Sequence, residues 1–176
     1  PIYNYPKELF ESLVSCANSH IENPNVALLT PGIHNSAYYE HSFLADEMGI
    51  ELIQGSDIEI CDGKVAIRTT KGTEVVDIIY RRIDDNFLDP LSFDPNSLLG
   101  APGLFDAYRS GAVILANAPG SGISDDKAIY SYIPEIIKFY MGDKPLLQNI
   151  PTWRCADKQN LTYVLENLNE LVVKEV

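Results

Sequence analysis

Positive charge is scarce in this chain: 13 lysines and arginines stand against 25 aspartates and glutamates, a net charge of -12 over 176 residues. Such an acidic surface repels nucleic-acid phosphates and anionic headgroups, so neither nucleic acid nor a membrane is expected as a partner. Any bound anion must be held by a local positive cluster. Long hydrophobic runs are missing too. No stretch approaches the roughly 20 apolar residues of a membrane span, and no basic-then-apolar leader opens the sequence, so the expected location is cytoplasmic. The three cysteines, Cys16, Cys61 and Cys155, are an odd number without metal-ligand spacing. That suits a reducing compartment, with no disulfide and no zinc. Cys16 and Cys61 lack a basic neighbour and read as small core residues; Cys155 follows Arg154 and is the one to test for reactivity, although it too is expected to be unreactive. The glycine-rich stretch Asn117 to Gly122 lacks both the G-x-G-x-x-G and the G-x-x-x-x-G-K-[ST] pattern. It is therefore neither a dinucleotide fingerprint nor a phosphate-binding P-loop. No internal repeat or low-complexity tract occurs.

What is present is enough apolar material, 45% of residues, for one packed core and a short second unit toward the C-terminus. Pro6 to His20 carries Leu9, Phe10, Leu13 and Val14 on one helical face. Val26 to Leu29 is a short continuous apolar run, the pattern of a strand buried on both faces. A turn-rich loop, Thr30 to Ser36, leads to a helix ending at Met48, with Asn35 or Ser36 as N-cap and Gly49 as the stop. Ile50 to Gln54 then completes a βαβ unit. Ile58 to Cys61 and Val65 to Arg68 flank Asp62-Gly63 as an inserted hairpin, and a turn at Lys71-Gly72 returns the chain to a strand ending at Tyr80. Leu104 to Ser110 reads as a helix, Ala112 to Ala116 as a buried strand, Asp125 to Met141 and Thr162 to Leu168 as helices, and Leu171 to Val176 as a final strand. The expected fold class is α/β, three-layered, with a mainly parallel, Rossmann-like sheet carrying an inserted β-hairpin. The chain begins at Pro1 without methionine and stops on a strand with nothing to cover it, so a piece of a longer protein is expected.

The chemistry gathers at Tyr80 to Pro90. Arg81, Arg82, Asp84 and Asp85 crowd the end of an apolar strand, and ligands of open α/β sheets bind beyond the carboxyl ends of strands. Paired arginines offer rigid donor forks for a carboxylate or phosphate, and the two aspartates could hold those forks or bind an amine. A purely structural salt-bridge network accounts for the same residues equally well. The loop with His34, Asn35 and Ser36 offers N–H groups near a helix start for substrate contact, although a lone histidine there is more often structural. His34 and His41 lie seven apart with Glu40 between them. His34 falls off the helix, so a metal pair is set aside. By local spacing, Lys127 reads as a solvated lysine. Lys174, inside an apolar strand, must point to a polar face or to an anion.

Taken as an ordered set, Leu28-Leu29-Thr30-Pro31-Gly32, Tyr39-Glu40-His41, Tyr80-Arg81-Arg82-Ile83-Asp84-Asp85, Asn117-Ala118-Pro119-Gly120, Asp125-Asp126-Lys127 and Leu171-Val172-Val173-Lys174 resemble the circularly permuted ATP-grasp family, relatives of glutathionylspermidine synthase. The resemblance covers the chain from about Val26 onward. It implies an N-terminal helix over residues 1–25, a pre-ATP-grasp α/β domain over 26–122, and a truncated start of the ATP-grasp domain over 123–176. It further implies ATP and Mg2+ as cofactors, and activation of a small-molecule or peptide carboxylate as an acyl phosphate for transfer to an amine or thiol. Lys127 and Lys174 match the family's nucleotide lysines. Arg81 and Arg82 would then hold the carboxylate with Asp84 or Asp85 orienting the amine, and Asn117 joins the substrate-binding set. The glycine-rich phosphate loop and the acidic magnesium ligands of the family do not follow Val176, so the piece alone is expected to be inactive and to bind ATP weakly. The remainder of its own polypeptide is then its first partner, with a homo-oligomer as a further expectation. Non-catalytic anion- or peptide-binding and dimerisation modules of the same fold are the rival readings.

Overall fold

The computed structural model describes residues 2–17, 20–61 and 63–175. In chain order, a 3-10 turn (Ile2–Asn4) leads into α1 (Tyr5–Ser15), β1 (Val26–Leu29), α2 (Tyr38–Met48), β2 (Glu51–Ile53), β3 (Ile58–Cys61), β4 (Lys64–Thr69), β5 (Gly72–Val75), β6 (Ile78–Arg81), α3 (Asp85–Leu88), α4 (Leu104–Arg109), β7 (Ile114–Ala116), α5 (Lys127–Tyr130), α6 (Ile133–Met141) and α7 (Lys158–Glu166). The chain divides into two compact units between Pro119 and Gly120.

In the first unit, β2, β1, β6 and β7 form a parallel sheet in that order. Leu29 stands opposite both Ile53 and Arg81, and Tyr80 opposite Ala116. Strand alternation splits the apolar residues between two faces. Val26, Leu28, Ile78 and Tyr80 pack with Leu13 of α1 and with Leu44 and Ala45 of α2. On the other face, Ala27, Leu29, Ile79 and Leu115 pack with Leu104 and Ala107 of α4 and with Ile58, Val65 and Ile67 of an antiparallel sheet, β3-β4-β5. The result is the expected three-layer α/β arrangement. The β1 leucines are fully buried, and burial of each contributes about 2 kcal/mol.

Several local expectations are corrected. The predicted arm is a third strand larger than a hairpin, because the run expected to continue unbroken to Tyr80 bends at Val76-Asp77. Asp77 Oδ2 accepts from Asn25 N at 2.8 Å, Asp77 N and Ile78 N donate to Asn25 O, and Val76 N still donates to Val65 O. One residue thus closes the antiparallel sheet and the next opens the parallel one. Of the predicted turn, Asp62 lies outside the described residues, while Gly63 has φ of +71°. The first helix ends at Ser15 rather than His20, whose intervening Asn18 and Ser19 are likewise outside. Ala37, not Asn35 or Ser36, holds the α2 cap position, and it makes no side-chain cap. Gly49 ends α2 in the left-handed conformation, as expected. Cys16 and Cys61 are exposed free thiols, not core residues. They sit at the end of a surface helix and at the outer end of a strand.

The second unit is helical. The single helix predicted from Asp125 to Met141 is broken at Ser131-Tyr132, since Pro134 lacks an N–H and favours a fresh helix start. Asp126 caps α5 through Ala128 N, and Asp157 caps α7 through Gln159 N and Asn160 N. Trp153 packs on Tyr163 with ring centroids 4.9 Å apart, and the Arg154 guanidinium lies 4.2 Å above the Tyr132 ring. The expected final strand is absent among the described residues. Leu171 to Glu175 pair with no strand, and Val172 and Val173 are exposed. A strand needs a neighbour to accept its ladder bonds, and none is present there. Val176 lies outside the described residues. No helix among those described is long and apolar enough to cross a membrane.

Candidate functional site

Because the four strands are parallel, the loops that leave β1, β6 and β7 emerge on one edge, and the arginine pair stands at the end of the interior strand β6. Adjacent residues on a strand face opposite ways, and the two arginines meet different surroundings.

Arg81 is buried, at 7% exposure. Its Nε donates to Asn117 O at 2.7 Å, Nη1 to Ile83 O at 2.8 Å and Nη2 to Ala118 O at 3.0 Å, while Nη2 also lies 2.6 Å from Asp85 Oδ1. Nearly every N–H of its fork is therefore spent on tying the loop after β6 to the loop after β7. The Ala116–Asn117 peptide is cis.

Arg82 continues the ladder with its backbone, donating N–H to Leu29 O at 2.8 Å, but its side chain turns to the α2 face. Nη2 donates to Glu40 Oε1 at 2.6 Å and Nη1 reaches Tyr80 Oη at 3.4 Å. The Arg82 side chain is 32% exposed and that of Glu40 56%. Most of this fork has no partner among the described residues.

Beneath the pair, His41 is buried at 2% exposure and its Nδ1 lies 2.8 Å from Thr30 Oγ1, which also accepts from Gly32 N. Burial, reinforced by the Arg82 cation, lowers the His41 pKa from its ordinary 6.5, with the Glu40 carboxylate opposing. The imidazole is accordingly held neutral near pH 7. Gly32 has φ of +101°, and a Cβ there would come within 2.6 Å of Gln54 Oε1. Only glycine fits that turn.

The other sequence-derived candidates separate. His34, Asn35 and Ser36 are exposed on the loop between β1 and α2, where Asn35 Oδ1 accepts from Ala37 N at 2.9 Å. Asp84 is exposed at the α3 cap position and makes no side-chain cap; Asp85 opens α3 and pairs with Arg81. Asn117 is exposed, and its carbonyl belongs to Arg81. Lys127 begins α5, and Lys174 lies in the extended, unpaired tail; both are exposed and make no ion pair among the described residues.

Residue types alone did not bring forward Thr30, Glu40 and His41 as a group around Arg82. The signal available was the period of two. Ile79 and Arg81 share the face of β6 toward α4, and Tyr80 and Arg82 the face toward α2. A further group is Asp89, fully buried in the loop after α3. Its Oδ1 accepts from Leu91 N and Gly103 N and its Oδ2 from Phe105 N, at 2.9, 3.1 and 3.0 Å. This carboxylate fixes the start of α4, and it lies inside the loop rather than at the open edge.

Comparison with known proteins places this sequence in a lineage. The family described as "A circularly permuted ATPgrasp" matches residues 1–176. The chain is 54% identical to uncharacterized protein sll0335 of Synechocystis sp., over 99% of this chain and 36% of that protein. It is 47% identical to uncharacterized protein Rv2411c of Mycobacterium tuberculosis, over 98% of this chain and 31% of that one. A Frankia alni protein named "Putative glutamate--cysteine ligase 2-3" is 42% identical over 97% of this chain and 20% of its own length. The chain thus spans about a third of the length of the first relatives and a fifth of the last. With the match running from end to end, this chain belongs to the circularly permuted ATP-grasp family.

Proposed function

We propose that this chain is part of an ATP-dependent ligase that joins a carboxylate to an amine through an acyl phosphate, and that Arg82 holds the carboxylate. Family membership and the ligase name of the Frankia alni relative support the reaction class. The observation that carries the assignment is the asymmetry of the arginine pair. Arg81 is buried with its fork filled by carbonyls and Asp85, whereas Arg82 is partly exposed at the same sheet edge with an exchangeable carboxylate as its main partner. A cation whose donors are open to solvent can clamp a planar anion in line for attack. Arg81 is then a positioning residue, and Asp85 acts through it. Asp84, exposed near the pair in sequence, remains the candidate for orienting the amine, with Asn117 and the loop of His34, Asn35 and Ser36 as the substrate rim.

ATP would supply the phosphoryl group, and Lys127 and Lys174 fit a triphosphate as exposed ammonium groups without an internal ion pair among the described residues. Magnesium fits less well. No group of three or more His, Cys, Asp or Glu side chains among the described residues is arranged to hold a metal ion, so no step is assigned to it here.

Titration calorimetry with ATP and magnesium tests the reading, on this chain and on one extended to the length of its relatives. Binding by the extended chain that is weakened by Lys127→Ala or Lys174→Ala is the expected result. An extended chain that binds no ATP overturns the ligase in favour of a non-catalytic anion- or peptide-binding module.

A further inference from the structure

Glu40 and Arg82 are held together across 42 residues of sequence by one short charge-assisted bond, Nη2 to Oε1 at 2.6 Å. Glu40 sits in the first turn of α2, and its side chain is more exposed than that of Arg82. The contact uses a single nitrogen of the fork. A carboxylate accepted bidentately would engage two, so the internal partner leaves the arginine in a contact that a bidentate ligand can better. Packing does not enforce the pair either. The core on this face is completed by Leu44, Ala45, Ile78 and Tyr80 without it.

We propose that Glu40 is the resident competitor for Arg82: its carboxylate holds the guanidinium in place when no ligand is bound, and an incoming carboxylate displaces it. The inference rests on the reading of Arg82 above and adds a regulatory residue to it. The class of ligand follows from the occupant, since the position next to Nη2 already accommodates a carboxylate oxygen in this protein. His41 and Thr30 form the floor. The Thr30–His41 bond fixes the start of α2 beneath the pair, so Glu40 can swing out by side-chain rotation while the helix stays in place. The exchange also spares the ligand part of the cost of ordering the fork, because Arg82 is already extended toward the binding position.

The test is a titration of the chain with glutarate, followed through the Arg82 Nε–H resonance and by calorimetry. Four proteins are compared: the parent, Glu40→Gln, Glu47→Gln and Arg82→Ala. Glu47 lies near the other end of α2, is exposed, and its substitution changes the net charge by the same amount. The expected outcome is an affinity gain of about two- to fivefold in Glu40→Gln, the range that partly exposed ion pairs are worth. Glu47→Gln should show no gain, and Arg82→Ala should lose the binding. If Arg82→Ala loses binding but Glu40→Gln binds no tighter than the parent, the competitor role is overturned while the Arg82 reading stands. Equal gains in both glutamine variants also overturn it, since the effect would then be general charge. Glutarate binding that persists in Arg82→Ala overturns the underlying assignment itself.

Discussion

Arg81 Nη2 lies 2.6 Å from Asp85 Oδ1, and the same guanidinium closes on the carbonyls of Asn117 and Ala118, so one side chain joins the loops that follow two neighbouring strands. Removing it takes away the ion pair with Asp85 and leaves three buried or partly buried carbonyl contacts without their donor. Arg81→Ala is expected to lower unfolding free energy by about 3 kcal/mol, read from the urea midpoint at constant slope. Asp85→Asn should cost less, because the three carbonyls still hold the arginine. A loss below about 1 kcal/mol in Arg81→Ala would contradict this account of the network.

Arg82 should behave in the opposite way. Its pair with Glu40 is open to solvent, so Arg82→Ala is expected to change stability by no more than about 1 kcal/mol. In a catalytically competent extended chain, the same substitution should raise KM for the carboxylate substrate at least tenfold while sparing ATP binding. Equal losses of stability in the two arginine variants would erase the distinction between them.

The His41 pKa is lowered in the folded chain, which fixes the sign of its pH effect. As pH falls, the unfolded chain takes up the proton first, so the stability due to neutral His41 is complete above about pH 6.5 and is lost as pH drops toward the folded-state value. Parent stability should therefore decline below pH 6.5 with a slope of up to about 1.4 kcal/mol per pH unit. His41→Gln should lack that component.

Asp89 has no solvent contact and satisfies three backbone N–H groups. Asp89→Ala is expected to cost about 3 kcal/mol. Asp89→Asn, which keeps one oxygen acceptor, should lie between it and the parent. Hydrogen exchange at Gly103 and Phe105 should accelerate in step with the loss of stability. Unchanged protection there would sever the carboxylate from the start of α4.

Much of the first unit was legible from residue pattern. Val26 to Leu29 is too short and too uniformly apolar for anything but a buried strand, and its observed bounds are the same. Gly49 marks its helix end because a left-handed residue is needed there. The bend at Asp77 was hidden because its cause, the hydrogen bonds to Asn25, is 52 residues away in sequence. The break in the Asp125–Met141 segment was legible from Pro134, but the continuous apolar periodicity on both sides masked it. At the candidate site, residue type singled out the arginine pair but not the division of its surroundings, one guanidinium buried and the other open. That division depends on which face of β6 each arginine meets and on what α2 brings opposite, a tertiary fact for which the period of two gave only a hint.

The corner at Asn25 and Asp77 also has a kinetic meaning. Asn25 accepts from two consecutive amides, receives the Asp77 carboxylate on its own N–H and donates Nδ2 to Val75 O, while Asp77 O accepts from Ile114 N. Three segments far apart in sequence meet at that point, and the first contact to close a long loop lowers the entropy cost of the others. The antiparallel sheet therefore has no independent route to unravelling at this end. It is expected to open together with the amino edge of the parallel sheet, where β1, β6 and β7 begin, so the amides of Val76, Ile78 and Ile114 should share one level of exchange protection.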